Sequence, residues 1–237
     1  SMRADLLSAG IKVTEIRPYT ELGNVSNPIL LNALSAAQVP ATDRTLVMVD
    51  TMMQEQMSIG RQSILDMAKL VGANPDANVQ TIVQMTKLGL PVTEEMAQNK
   101  RENDRQIQAV ITGGDPRLML LIGPCSADRE DAVLEYAARL RTLQEQVKDK
   151  LLLVPRIYSN KPRTTGDGYK GMLHQPDPNG QPDMLKGLIA IRKMHMKVLE
   201  QTGFSSADEL LYPENYYYLS DILSYAAIGA RSVEDQQ

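Results

Sequence analysis

Cys125 stands just after Leu118-Met119-Leu120-Leu121-Ile122, within Gly123-Pro124-Cys125-Ser126. Arg156 follows a second apolar run, Leu151-Leu152-Leu153-Val154, and Lys161-Pro162-Arg163-Thr164-Thr165 comes soon after it. Arg231 follows a third run, Ala226-Ala227-Ile228-Gly229-Ala230. A planar guanidinium matches the oxygens of a phosphate ester, and clustered cations need anionic partners. A lysine beside them can protonate or polarise a developing oxyanion. A cysteine thiolate is a ligand for a soft or borderline divalent metal. Singly, each residue has a plainer reading. A lone cysteine after a strand is more often a small buried hydrophobe. Arg156 can be satisfied by a salt bridge to a neighbouring carboxylate, and Lys161-Pro162-Arg163 can be a solvated loop. Their convergence after separate apolar runs is what favours chemistry.

Convergence requires that the runs lie side by side. The continuous apolar character of Leu118–Ile122 and Leu151–Val154 predicts strands buried on both faces. Between them Asp128 is expected to cap a helix with the apolar face Ala132, Val133, Tyr136, Ala137, Leu140, Leu143 and Val147. A helix at about Pro182–Thr202, stopped by Gly203, leads to a third strand, Ala207–Tyr212. A short helix over Asn215–Tyr225 leads to the fourth, Ala226–Ala230. Alternating strands and helices imply a parallel sheet with crossover helices, in which chemistry gathers at the C-terminal strand ends.

The first part of the chain reads differently. Ile11–Ile16 alternates like a short strand, and Leu46-Val47-Met48-Val49 is another short apolar run, with Pro28 and Pro40 as punctuation. Thr51 to Val71 reads as one helix, opened by a Thr51/Gln54 capping box and closed near Gly72. Its methionine stripe is expected to be ordinary core. Asn74-Pro75-Asp76 marks a turn. Thr93 caps a further helix running to about Thr112, ended by Gly113-Gly114-Asp115-Pro116.

Composition narrows the setting. The chain has 237 residues, 43% of them apolar, enough for one large domain or a domain with an extension. Its net charge of -4 argues against a general nucleic-acid binder. One cysteine excludes an internal disulfide and fits a reducing, cytoplasmic setting. No apolar run reaches the roughly 18 residues of a membrane span, and no secretory signal is visible. Ser1 before Met2 reads as a remnant of tag removal.

Gly123-Pro124-Cys125-Ser126, Arg156-Ile157-Tyr158, Lys161-Pro162-Arg163-Thr164-Thr165, Tyr169-Lys170-Gly171 and Gly229-Ala230-Arg231 occur in the order and spacing of the class I DAHP synthases. Over roughly 90–237 the chain resembles that family. The resemblance implies an α/β fold, a parallel (β/α) barrel of TIM type with only the first four strand–helix units present. A mainly helical extension, residues 1–89, would precede it. The implied reaction joins phosphoenolpyruvate to erythrose 4-phosphate and water, giving DAHP and phosphate. Cys125 would be a metal ligand. Arg156 and Lys161 would contact phosphoenolpyruvate, with Lys161 also placed for catalytic proton transfer. Arg163 and Thr164 would hold the phosphate of erythrose 4-phosphate, and Arg231 that of phosphoenolpyruvate. A divalent metal such as manganese, iron or zinc, an aromatic amino acid as feedback ligand and a homo-oligomer are further implications.

The sequence departs from that pattern after the fourth strand. The resemblance places the remaining metal ligands in a second half, and His174 and His195 stand in the wrong places to replace them. The chain is therefore expected to be a piece of a full synthase, without turnover by itself. The alternative is a non-catalytic interaction or regulatory module built on a half-barrel.

Overall fold

The computed structural model describes residues 27–124, 126–161 and 168–228. The chain divides between Glu94 and Glu95 into two compact units.

In the first unit, α1 (Pro28–Ala37), α2 (Asp43–Gln54), α3 (Arg61–Ala73) and α4 (Val79–Lys87) bury one shared apolar cluster. Pro28 sits in the first turn of α1, where its missing N–H is no loss, and Asn27 caps it by accepting from the Ile29 N–H. Leu46–Val49 is not strand-like: it lies inside α2. Nor is Thr51–Val71 one helix. The capping box belongs to Thr42 and Thr45, whose hydroxyls satisfy each other's backbone N–H groups. Thr51 donates to the Val47 carbonyl within α2, and the chain turns through Gln56 (φ 56°) before α3 begins. Met48, Met52 and Met67 are buried in the cluster, with Met53 and Met57 against it. The methionine stripe is core. Arg44 ties α2 to the Asn74 turn, donating to the carbonyls of Val71, Asn74 and Ala77.

The second unit begins with α5 (Glu94–Ile111), closed by Gly113 at φ 78°, whose N–H donates to Val110 O. Then follow β1 (Leu118–Ile122), α6 (Glu130–Val147), β2 (Leu151–Pro155), α7 (Met184–Thr202), β3 (Ala207–Leu210), a 3-10 helix (Pro213–Tyr218) and β4 (Tyr225–Ile228). Four element expectations change. α6 opens at Arg129 rather than at an Asp128 cap, and β3 ends at Leu210. The 3-10 helix stands where a helix over Asn215–Tyr225 was expected, and Tyr225 already belongs to β4. Residues 229–230 lie outside the described residues, as does the Ile11–Ile16 strand.

The unit is mixed α/β with short parallel strands. β1 pairs with β2 from Leu118↔Leu151 to Ile122↔Pro155, and β3 with β4 from Ala207↔Tyr225 to Leu210↔Ile228. An Arg156↔Ala207 bridge joins the two pairs. Pairing starts only there because the Gln144 amide of α6 already satisfies the edge of β2. It donates to Leu151 O and accepts the Leu153 N–H at 2.7 Å. One face of the strands packs Met119, Leu121, Leu152, Val154, Ala207 and Tyr225 against Ile107 and Val110 of α5.

β1 is not buried on both faces. Leu118 and Leu120, on the opposite face, are 67% and 38% exposed, and Ile228 of β4 is 62% exposed. An apolar strand of this kind invites pairing with another chain. The chain is therefore expected to run larger than a monomer in light scattering after size exclusion. Leu118→Lys with Leu120→Lys should shift it toward the monomer. A stable wild-type monomer would remove the idea.

Candidate functional site

The carboxyl ends of β1 and β2 are stitched together by the chain itself. The Arg156 N–H donates to Ile122 O at 2.9 Å, and the Ala127 N–H donates to Tyr158 O at 2.7 Å. Gly123 lies so close to β2 that a Cβ there would meet Arg156 O at 1.8 Å. The loop carrying Gly123 and Pro124 therefore rests against the end of β2.

Arg156 is not in a salt bridge: it makes no ion pair among the described residues. One guanidinium nitrogen donates to Gly123 O at 3.2 Å and Pro124 O at 3.0 Å. The guanidinium lies 4.7 Å from the centre of the Tyr158 ring. Its Nε is buried without a partner. A charged group held in this way keeps a donor in reserve for an anionic acceptor. Burial pushes the Tyr158 phenol above its usual range, and the charge of Glu209 adds to the shift.

Lys161 is positioned by the loop that returns beneath it. Its N–H donates to Lys170 O at 3.1 Å, and the Leu173 N–H donates to Ser159 O at 3.3 Å. Gly171 makes that return possible. At φ 93° it packs on Ser159–Lys161 with no room for a Cβ, the nearest atoms being 2.6 to 2.8 Å away. Tyr169 is pushed up to about 12 by burial, with a smaller contribution from Asp128.

Arg156 directly follows β2, and Lys161 lies five residues further along the same segment. Cys125, Arg163, Thr164 and Arg231 lie outside the described residues. Glu209 was not read from the sequence. It follows Ala207 by two, and Ala207 pairs with Arg156, so strand alternation puts Glu209 on the face that carries Arg156. The signal was there: two carboxylates, Asp208 and Glu209, within an otherwise apolar strand.

No group of three or more His, Cys, Asp or Glu side chains lies together among the described residues. His195 is engaged with Ser206 and Asp208, and His174 stacks edge-on to Tyr212 at 5.5 Å. The described residues do not fit a metal centre, so no step is assigned to a metal. A cavity of about 380 Å³ lies at the opposite strand ends, lined by Arg117, Arg141, Lys148 and Phe204 among others. It is remote from Arg156 by strand direction. No helix among the described residues is long and apolar enough to cross a membrane.

Short parallel strands joined by crossover helices, with Arg156 at their carboxyl edge, define an α/β protein. Residues 74–237 match the profile of the DAHP synthetase I family, and the chain belongs to that family. It is 37% identical over 161 residues to the Tyr-sensitive phospho-2-dehydro-3-deoxyheptonate aldolase of Escherichia coli K12, covering 68% of this chain and 45% of that protein. The phospho-2-dehydro-3-deoxyheptonate aldolase of Haemophilus influenzae is 35% identical over 173 residues, covering 71% of this chain and 47% of that protein. The solved phospho-2-dehydro-3-deoxyheptonate aldolase of Francisella tularensis superposes with a TM-score of 0.59 at 29% identity, covering 65% of this chain and 44% of that one. The chain spans about half the length of the curated relatives it matches.

Proposed function

We propose that this chain carries the phosphoenolpyruvate-binding part of a DAHP synthase active site. Residues 90–237 form the first four strand–helix units of a (β/α)8 barrel, and residues 1–89 a mainly helical extension. The observation that carries this reading is Arg156: fixed by two carbonyls, free of ion pairs among the described residues, and holding a buried donor without a partner.

Arg156 and Lys161 bind phosphoenolpyruvate, and Arg231 takes its phosphate. Arg163 and Thr164 hold the phosphate of erythrose 4-phosphate. C3 of phosphoenolpyruvate attacks the aldehyde carbon, water adds at C2, and inorganic phosphate leaves. The aldehyde oxygen becomes an alkoxide in the first step, and Lys161 is the group that delivers its proton. Cys125 is retained as a metal ligand of the complete centre, and two of the relatives are named for sensitivity to tyrosine or tryptophan. An aromatic amino acid is the feedback ligand this suggests.

Calorimetric titration tests the reading. Phosphoenolpyruvate should bind the wild-type chain, and Arg156→Ala should weaken it by about tenfold or more, the scale of a lost charge-assisted hydrogen bond. Arg163→Ala should weaken erythrose 4-phosphate by a similar factor and leave phosphoenolpyruvate unchanged. Equal losses for both ligands, or no binding by the wild type, would overturn the assignment.

A further inference from the structure

On the face of β3 opposite Glu209, a carboxylate is buried completely. Asp208 is 0% exposed, yet its oxygens are fully engaged. The Ser159 N–H donates to it at 2.9 Å and the Ser159 hydroxyl at 2.5 Å. The Glu209 N–H donates at 2.8 Å, and His195 Nε2 stands 3.2 Å away. An ionised carboxylate only accepts, so opposite one His195 Nε2 presents an N–H, while Nδ1 shares a hydrogen bond with the Ser206 hydroxyl at 2.7 Å. A buried charge persists only when its lone pairs are filled in this way.

The arrangement does something the strand ladder cannot. Ile157 N–H still donates to Ala207 O at 2.8 Å, as parallel pairing requires. Two residues later the ladder would pair Ser159 N–H with Glu209 O. Instead the Asp208 carboxylate takes the Ser159 N–H, and the Asn160 side chain donates to Glu209 O at 3.3 Å. Two side chains replace the main-chain ladder where the continuation of β2 leaves the side of β3. From there it runs directly into Lys161, which is fixed on its far side by Lys170 O and Gly171. Apolar residues of similar volume would give equal or greater stability than a buried ionic network. They could not hold Ser159 by both its N–H and its hydroxyl.

We propose that Asp208, set by His195 and Ser206, is a positioning residue that fixes the Ser159–Lys161 segment and so places the Lys161 amine beside Arg156. The functional part of this proposal rests on the phosphoenolpyruvate reading above; the structural part does not. Two measurements on the full chain separate them. Hydrogen exchange of the Ser159–Lys161 amides should quicken about tenfold or more in Asp208→Asn, while the Leu151–Val154 amides keep their protection. Phosphoenolpyruvate affinity should fall about tenfold in Asp208→Asn, but stay within about twofold when the same change is made on Lys161→Met. A merely structural role would lower affinity equally on both backgrounds, and that result would overturn the proposal. Unchanged exchange at Ser159–Lys161 would overturn it as well. If wild type and Lys161→Met bind phosphoenolpyruvate equally, the ligand reading falls and the exchange measurement alone decides whether Asp208 fixes the segment. Should Asp208→Asn fail to fold, Ser159→Ala removes the hydroxyl contact alone and carries the same comparison.

Discussion

Asp221→Ala is expected to destabilise the second unit by about 3–5 kcal/mol, the range for stranding one partner of a buried ion pair. Arg192 and Asp221 are 1% and 2% exposed. The guanidinium of Arg192 meets both carboxylate oxygens at 2.8 Å and donates to Tyr218 O at 2.6 Å. The pair ties α7 to the turn between the 3-10 helix and β4. Removing the carboxylate leaves a guanidinium in the interior without its counter-charge. A domain of this size is stable by about 5–15 kcal/mol, so a loss on that scale would bring it close to unfolding at moderate temperature. Urea denaturation followed by circular dichroism measures it. The double change Arg192→Leu with Asp221→Leu should lose less than Asp221→Ala alone, because no charge is then stranded. A cost below about 1 kcal/mol for the single change would show that the pair is not the clamp described.

Gly123→Ala should disturb stability and binding together. The added Cβ would stand 1.8 Å from Arg156 O and 2.8 Å from its carbonyl carbon, and both are backbone atoms without a rotamer to escape into. The end of β1 must move off β2, weakening the Arg156 N–H to Ile122 O bond and the two carbonyl contacts that aim the Arg156 guanidinium. Overpacking of this kind costs about 1–3 kcal/mol, and backbone against backbone belongs at the upper end. Phosphoenolpyruvate affinity should fall about tenfold or more with it. Gly72→Ala is the matched control. Gly72 lies in α3, and a methyl group added there would meet nothing within 4 Å, so alanine should be neutral or stabilising by up to about 1 kcal/mol. Equal urea midpoints for Gly123→Ala and wild type would refute the close-approach argument.

The sequence alone located β1, β2 and the long α7, because unbroken apolar runs and a helical apolar stripe ended by glycine are local signals. It also placed Arg156 and Lys161 at a strand end, since parallel strands with crossover helices share one carboxyl edge. It failed where the signal was not local. Thr51 and Thr42 both precede helix-compatible residues, and packing of the four-helix cluster chose Thr42. Leu118 and Leu120 have the composition of a doubly buried strand, but exposure depends on what covers a face, and among the described residues that face of β1 is open. Asp208, His195 and Ser159 each look ordinary in the chain. Ser159 and Asp208 stand 49 positions apart and meet only because α7 crosses over and lays β3 beside β2. A strand's hydrophobicity is written in its own residues, whereas the partner of a buried carboxylate is decided by which elements the tertiary fold brings together.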